Sequence, residues 1–247
     1  MTIQIMQIIP SILENNPKNY IEQISNLSPF LNHFQIDIAD GILVPNKTAQ
    51  LKEILYLLTN NQQLTTNNHY DFHLMVSNPT THIDYIEALK ANIKIETIFI
   101  HYKALRYEAP FTHFVHKYSS VAQIGLVFNP EDDINTINSL IPVKTIPIVQ
   151  IMTIDPGKQG NPFLVESLKK VEQLRSLGYR NKIAVDGGVN IETIQLMISQ
   201  KQIPDIICPG SYFSKAKSEE LKERVKKMKQ VISNVIPTKA GLPCKGI

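Results

Sequence analysis

The sequence predicts a closed (β/α)8 barrel in a single domain, and three observations carry that prediction. Eight short apolar runs alternate with longer amphipathic stretches from one end of the chain to the other. Residues 1–235 hold them all, close to the roughly 250 typical of such a barrel. Nearly every run ends in a residue with a functional group or in a glycine turn, as expected only at the rim where barrels place their ligands. An open doubly wound sheet is the alternative; there too the site lies at the carboxyl ends of the strands.

The expected strands are 3–9 ("IQIMQII"), 33–38 ("HFQIDI"), 70–76 ("YDFHLMV"), 97–101 ("TIFIH"), 122–128 ("AQIGLVF"), 146–152 ("IPIVQIM"), 182–186 ("KIAVD") and 205–209 ("DIICP"). Helical periodicity covers 81–92, 163–178, 191–200 and about 218–234, the last placing Leu221, Val225, Met228 and Ile232 on one face. Residues 236–247 contain Pro and Gly without periodicity and read as a flexible C-terminal tail.

Composition narrows the function. The 247 residues are 43% hydrophobic and 19% charged, and 25 basic against 22 acidic residues give a net charge of +3 with no long basic run. That balance argues against a nucleic-acid or membrane surface and for a small-molecule partner. The start lacks a signal-peptide pattern and no run approaches the ~18 apolar residues of a membrane span, so a cytoplasmic location is expected. Cys208 and Cys244 follow no disulfide or zinc spacing and read as reduced bystanders.

Taken strand end by strand end, the functional groups are Ser11, Asp37, His73, His101, Asn129, Met152, Asp186 and the "PGS" at 209–211. In "FQIDIADG" (34–41), alternation puts Gln35 and Asp37 on one face and Phe34, Ile36 and Ile38 on the other. A barrel would set Asp37 and Asp186 on roughly opposite strands. Two opposed carboxylates suit chemistry in which a proton leaves one face of a carbon and returns to the other. A lone Asp reads more readily as a surface or capping residue, and a lone strand His as a core residue; it is the pairing of the two aspartates that reverses those odds, and His73 with Gln35 would complete a four-ligand N/O metal site with them. The Gly-containing turns at 155–161, 186–189 and 209–213 follow the sixth, seventh and eighth strands, where barrels hold phosphate through backbone N–H groups.

These stretches, in order, resemble the ribulose-phosphate 3-epimerases: "PSIL" (10–13), "QIDIADG" (35–41), "HLMV" (73–76), "MTIDPGKQGN" (152–161), "VDGGV" (185–189) and "GS" (210–211), over roughly residues 3–213. The resemblance implies a ribulose-phosphate-binding barrel of the pentose phosphate pathway. It would interconvert D-ribulose 5-phosphate and D-xylulose 5-phosphate through an enediolate stabilised by one divalent metal ion, Zn, Fe, Mn or Co. It further implies Asp37 and Asp186 as acid/base groups and metal ligands, His73 as a third ligand and Gln35 in the place of a fourth. Ser11, His73, Met75 and Met152 would meet the substrate, and Gly157, Lys158, Gln159, Gly160, Gly187, Gly188, Gly210 and Ser211 its phosphate. A homo-oligomer is expected by the same analogy.

The chain departs from the family at Gln35, where a histidine is usual, at Ala39, and at Lys158 and Gln159. An amide oxygen is a harder and weaker donor than imidazole, which predicts a tilt from zinc towards Mn²⁺ or Mg²⁺. His33, one strand layer away, is a poor substitute. Asp155 and "PF" (162–163) resemble hexulose-6-phosphate 3-epimerases, leaving that substrate as an alternative, and the loss of the histidine leaves a non-catalytic sugar-phosphate binder as another.

Overall fold

The computed structural model describes residues 6–107, 110–157 and 160–233. Its strands are all parallel: β1 (Gln7–Ile8), β2 (Ser11–Ile12), β3 (His33–Ala39), β4 (His69–Met75), β5 (Lys94–His101), β6 (Gln123–Phe128), β7 (Ile148–Met152), β8 (Lys182–Asp186) and β9 (Ile206–Cys208). They pair in the order β1-β9-β8-β7-β6-β5-β4-β3-β2. The two ends of that order, β1 and β2, are halves of one strand interrupted at Ile9 and Pro10. The first half pairs with β9 and the second with β3, which closes the sheet into the (β/α)8 barrel. Pro10 has no N–H to give a ladder, but its carbonyl accepts the Gln35 N–H and the Ile9 N–H reaches Ile207 O. The first strand therefore extends past the 3–9 expected, to Ile12, and residues 3–5 lie outside the described residues.

The other expected strands form within a few residues of their predicted limits. β5 begins three residues early, at Lys94, and its register with β4 skips Glu96, between the pairs Tyr70 to Ile95 and Asp71 to Thr97. Helices return the chain between strands: α1 (Pro17–Leu27), α2 (Leu51–Thr59), α3 (Gln62–Asn67), α4 (Pro79–Leu89), α5 (Phe111–Lys117), α6 (Ile134–Leu140), α7 (Lys169–Ser176), α8 (Ile191–Ser199), α9 (Ser211–Ser214) and α10 (Leu221–Ser233). Their starts follow from side-chain caps: Asn16 and Asn78 precede a proline at the first turn, Asp133 caps α6, and Asn190 with Thr193 forms a capping box on α8. The stretch 163–178 splits into a 3₁₀ turn at Val165–Leu168 and the shorter α7. Leu221, Val225, Met228 and Ile232 are all buried on one face of α10, as the periodicity requires. The tail, 236–247, with Cys244, lies outside the described residues.

Two apolar layers result. Outward strand residues such as Phe34, Ile36, Phe72 and Ile98 pack against the helices, while Ile9, Phe99, Val127, Ile148, Met152, Ala184 and Ile206 fill the barrel interior. Gly125 belongs to the second layer: a Cβ there would lie 2.4 Å from the Phe99 ring, so the absent side chain is what lets that ring cross the barrel. The interior above this plug is polar, and there the predicted residues meet.

Candidate active site

Strand alternation turns Gln35 and Asp37 inward from β3, beside Asp71 and His73 of β4, in the register Gln35 to Asp71 and Asp37 to His73. Asp186 comes from β8. One ligand atom each from Asp37, His73 and Asp186 lies within 4.8 Å of the others, all three buried, and among the described residues no other such group of His, Cys, Asp or Glu forms. His73 Nδ1 stands 3.3 Å from Asp37 Oδ1 and 3.3 Å from Asp186 Oδ2. The fully buried Gln35 places its amide nitrogen between the same two carboxylates, donating to Asp37 Oδ1 at 2.9 Å and Asp186 Oδ2 at 2.7 Å.

A second ring of polar groups holds these. The Cys208 thiol donates to Gln35 Oε1 at 3.5 Å, so this cysteine is a partner of the site rather than the bystander expected. Gln150 Nε2 donates to Asp186 Oδ2 at 3.1 Å, and the Ser11 hydroxyl lies 3.4 Å from Asp186 Oδ1. Behind His73, its Nε2 is 2.8 Å from His101 Nε2, the two rings lie end to end with centroids 5.0 Å apart and planes 15° from parallel, and His101 Nδ1 is 2.9 Å from Asn129 Oδ1. His33 is engaged elsewhere, 3.0 Å from Asp71 and 3.1 Å from Gln7, and supplies nothing here.

Burial and the charge of Asp186 push the Asp37 carboxyl above the usual carboxylate range. Burial pulls His73 down, but hydrogen bonds to Asp186 and Asp37 outweigh it and hold His73 at about 9. Burial and the neighbouring His73 charge depress His101 well below its ordinary value, so an imidazolium and a neutral imidazole meet here through their Nε2 atoms. Burial also raises the Cys208 thiol, which stays protonated and can donate.

This donor set fits a divalent cation: two carboxylates, one imidazole nitrogen and one amide converge from three strands. The Gln35 amide nitrogen lies between the two carboxylates that would hold the cation. Presenting Oε1 instead takes a half-turn of the amide plane, which turns its NH₂ towards the Cys208 sulfur, a weak acceptor. His73 would also have to release its Nδ1 proton.

Above these groups opens a cleft of about 370 Å³. Of the residues expected to meet substrate, Ser11, His73, Met75, Met152, Gly157, Gly160, Gly187, Gly188, Gly210 and Ser211 all line it, together with Asp37 and Asp186. Lys158 and Gln159 lie outside the described residues. Gly187 has φ +106°, and a Cβ there would lie 2.5 Å from Ile154 Cγ1, so its backbone fits against the loop after β7 only without a side chain. A larger hollow of about 720 Å³ between α1 and α9 contains Glu14 and Glu22 but no imidazole, thiol or cationic side chain.

Three neighbours of the site have no signal of their own in the sequence. Gln150 shares an inward face with Met152, Cys208 reads as one more apolar strand residue, and Lys215 sits beyond the "GS" turn. The Lys215 ammonium lies 3.2 Å from where a Cβ on Gly160 would stand, beside the glycine-lined end of the cleft.

Fold and site together define a class: (β/α)8 barrels that take a small molecule at the carboxyl ends of their strands. The ribulose-phosphate 3 epimerase family description matches residues 7–213, and the chain belongs to that family. Curated relatives named ribulose-phosphate 3-epimerase include proteins of Schizosaccharomyces pombe, 26% identical over 76% of this chain and 78% of theirs, and of Helicobacter pylori (strain 26695), 27% identical over 87% and 94%. One from Methanocaldococcus jannaschii is 27% identical over 81% of this chain and 79% of its own. Solved structures with the same fold include 3-hexulose-6-phosphate synthase from Salmonella typhimurium, with TM-score 0.64, 11% identity and coverage of 94% of this chain and 100% of that one. KGPDC from Streptococcus mutans has TM-score 0.65, 10% identity and coverage of 93% and 98%. Among the described residues no helix is long and apolar enough to cross a membrane.

Proposed function

We propose that this protein interconverts D-ribulose 5-phosphate and D-xylulose 5-phosphate by moving a proton at C3. The observation that carries the reading is the meeting of Asp37 and Asp186, from β3 and β8, around one cleft with His73 between them. One carboxylate removes the C3 proton from one face of the carbon and the other, in its acid form, returns a proton to the opposite face. The raised Asp37 suits a group that must hold a proton for part of the cycle near neutral pH. Gln35, Asp37, His73 and Asp186 would hold a divalent cation, which when bound supplies Lewis-acid stabilisation of negative charge developing on the substrate oxygens. Met75 and Met152 wall the reacting carbons from water. The glycine turns at Gly157, Gly160, Gly187, Gly188 and Gly210, with Ser211, receive the phosphate, and Lys215 adds a cation at that end.

A second reading, a sugar-phosphate binder without catalysis, is favoured by one observation: the Gln35 amide already satisfies both carboxylates. Incubating the protein with ribulose 5-phosphate in D₂O, with Mn²⁺, Zn²⁺, Fe²⁺ or Co²⁺ in turn, separates them. Xylulose 5-phosphate carrying deuterium at C3 is expected, with loss of roughly 100-fold or more in rate for Asp37→Asn and Asp186→Asn. Binding without exchange under every metal would establish the binder, and exchange only with a six-carbon ketose phosphate would move the substrate to the hexulose class.

A further inference from the structure

His101 and Asn129 stand outside the chemistry described above, yet both are buried, His101 against His73 and Asn129 against His101. Asn129 Nδ2 lies 3.4 Å from Glu131 Oε1, a carboxylate that only accepts, and this turns the Asn129 carbonyl oxygen towards His101. A carbonyl oxygen also only accepts, so the proton of a neutral His101 sits on Nδ1 and its Nε2 is a lone pair. That lone pair faces His73 Nε2 at 2.8 Å, where one proton, and only one, fits between the two nitrogens. The order of protons is then fixed along the chain: Asn129 Oδ1 accepts from His101 Nδ1–H, and His101 Nε2 accepts from His73 Nε2–H.

We propose that His101 and Asn129 are positioning residues that fix the tautomer of His73, so that its Nδ1 presents a lone pair to a divalent cation held by Asp37 and Asp186. This rests on the metal reading given above. Two pulls compete for the proton of a neutral His73: the carboxylates, each 3.3 Å from Nδ1, draw it there, while the His101 lone pair draws it to Nε2. Without the second pull, Nδ1–H would point at the cation's place and repel it. The two rings lie end to end, centroids 5.0 Å apart and 15° from parallel, which aims the two Nε2 atoms at each other, and the Asn129 N–H, donating to Asp132 Oδ2 at 2.7 Å, ties the far end to the loop after β6.

Protein labelled with ¹⁵N-histidine, followed by long-range ¹H–¹⁵N correlation with and without zinc, reads the tautomers directly. His101 should carry its proton on Nδ1 in both states, and zinc-loaded His73 should carry its proton on Nε2 with Nδ1 shifted by the metal. Asn129→Leu should release the His101 tautomer and weaken zinc binding by about 10- to 100-fold, with Asn129→Asp, which keeps an oxygen acceptor, restoring most of it. Zinc-loaded wild type with the His101 proton on Nε2, or Asn129→Leu with unchanged spectra and zinc affinity, would overturn the inference while leaving the metal reading intact. Should Asn129→Leu not fold, the wild-type spectra decide alone. A wild type that binds neither zinc nor manganese overturns the metal reading and this inference with it.

Discussion

The Gln35 amide nitrogen, on β3, donates to the Asp186 carboxylate, on β8, at 2.7 Å, and so spans the barrel between two buried acids. With its bond to Asp37 it neutralises nothing but supplies two charge-assisted hydrogen bonds of roughly 1.5–3 kcal/mol each. Gln35→Leu should therefore lower stability in chelator by about 3 kcal/mol, measured by urea unfolding. Gln35→His should raise zinc affinity by about tenfold or more and manganese affinity far less, measured by competition with a chromophoric chelator. Equal zinc affinity in the two forms would count against a ligand role for this position.

His73 titrates at about 9 in the folded chain against an ordinary 6.5 when unfolded. The folded state therefore holds the extra proton, and the stability this gives is complete below about pH 6.5 and is lost as pH rises through 9. The loss is on the order of 3 kcal/mol. Urea unfolding in chelator from about pH 6 to about pH 9.5 should show that decline, and His73→Gln should flatten it.

Lys215 is exposed and stands beside Gly160. If its ammonium meets the substrate phosphate, Lys215→Met raises KM about tenfold, equivalent to about 1.4 kcal/mol, with kcat nearly unchanged. Steady-state kinetics, with inorganic phosphate as a competing inhibitor weakened to the same degree, measures it. A fall in kcat at constant KM would place the lysine elsewhere in the cycle.

The barrel is legible because strand ends carry side chains that a core strand avoids; Gln35, Asp37 and His73 break an apolar pattern without breaking its period. Asp186 is legible from "VDGGV", since Gly187 needs its positive φ wherever it stands. The first strand runs past its expected end because Pro10 interrupts it, and the local pattern does not show that both halves find partners from opposite ends of the chain. Gln150, Cys208 and Lys215 are silent in the sequence for a related reason: each touches the site through residues distant along the chain. The same holds for Gln35, whose substitution is plain but whose hydrogen bonds to both carboxylates only the folded geometry reveals. His101 and Asn129 are visible as polar strand ends, but the chain of contacts from His73 on β4 to His101 on β5 and from His101 to Asn129 after β6 is visible only in the fold.

The split first strand has a consequence for how the site comes into being. Ser11 with Asp186, and Gln35 with Cys208, are contacts between residues from opposite sides of the seam at which β1 meets β9 and β2 meets β3. Joining the chain's two ends requires the largest loop closure in the molecule, for a short ladder on either side of Pro10. Neither half of the chain owns a complete reaction centre. The site is whole only in the closed ring: a truncation that removes β9 takes Cys208 from Gln35 and the strand partner from β1, even though Asp37, His73 and Asp186 are all still present.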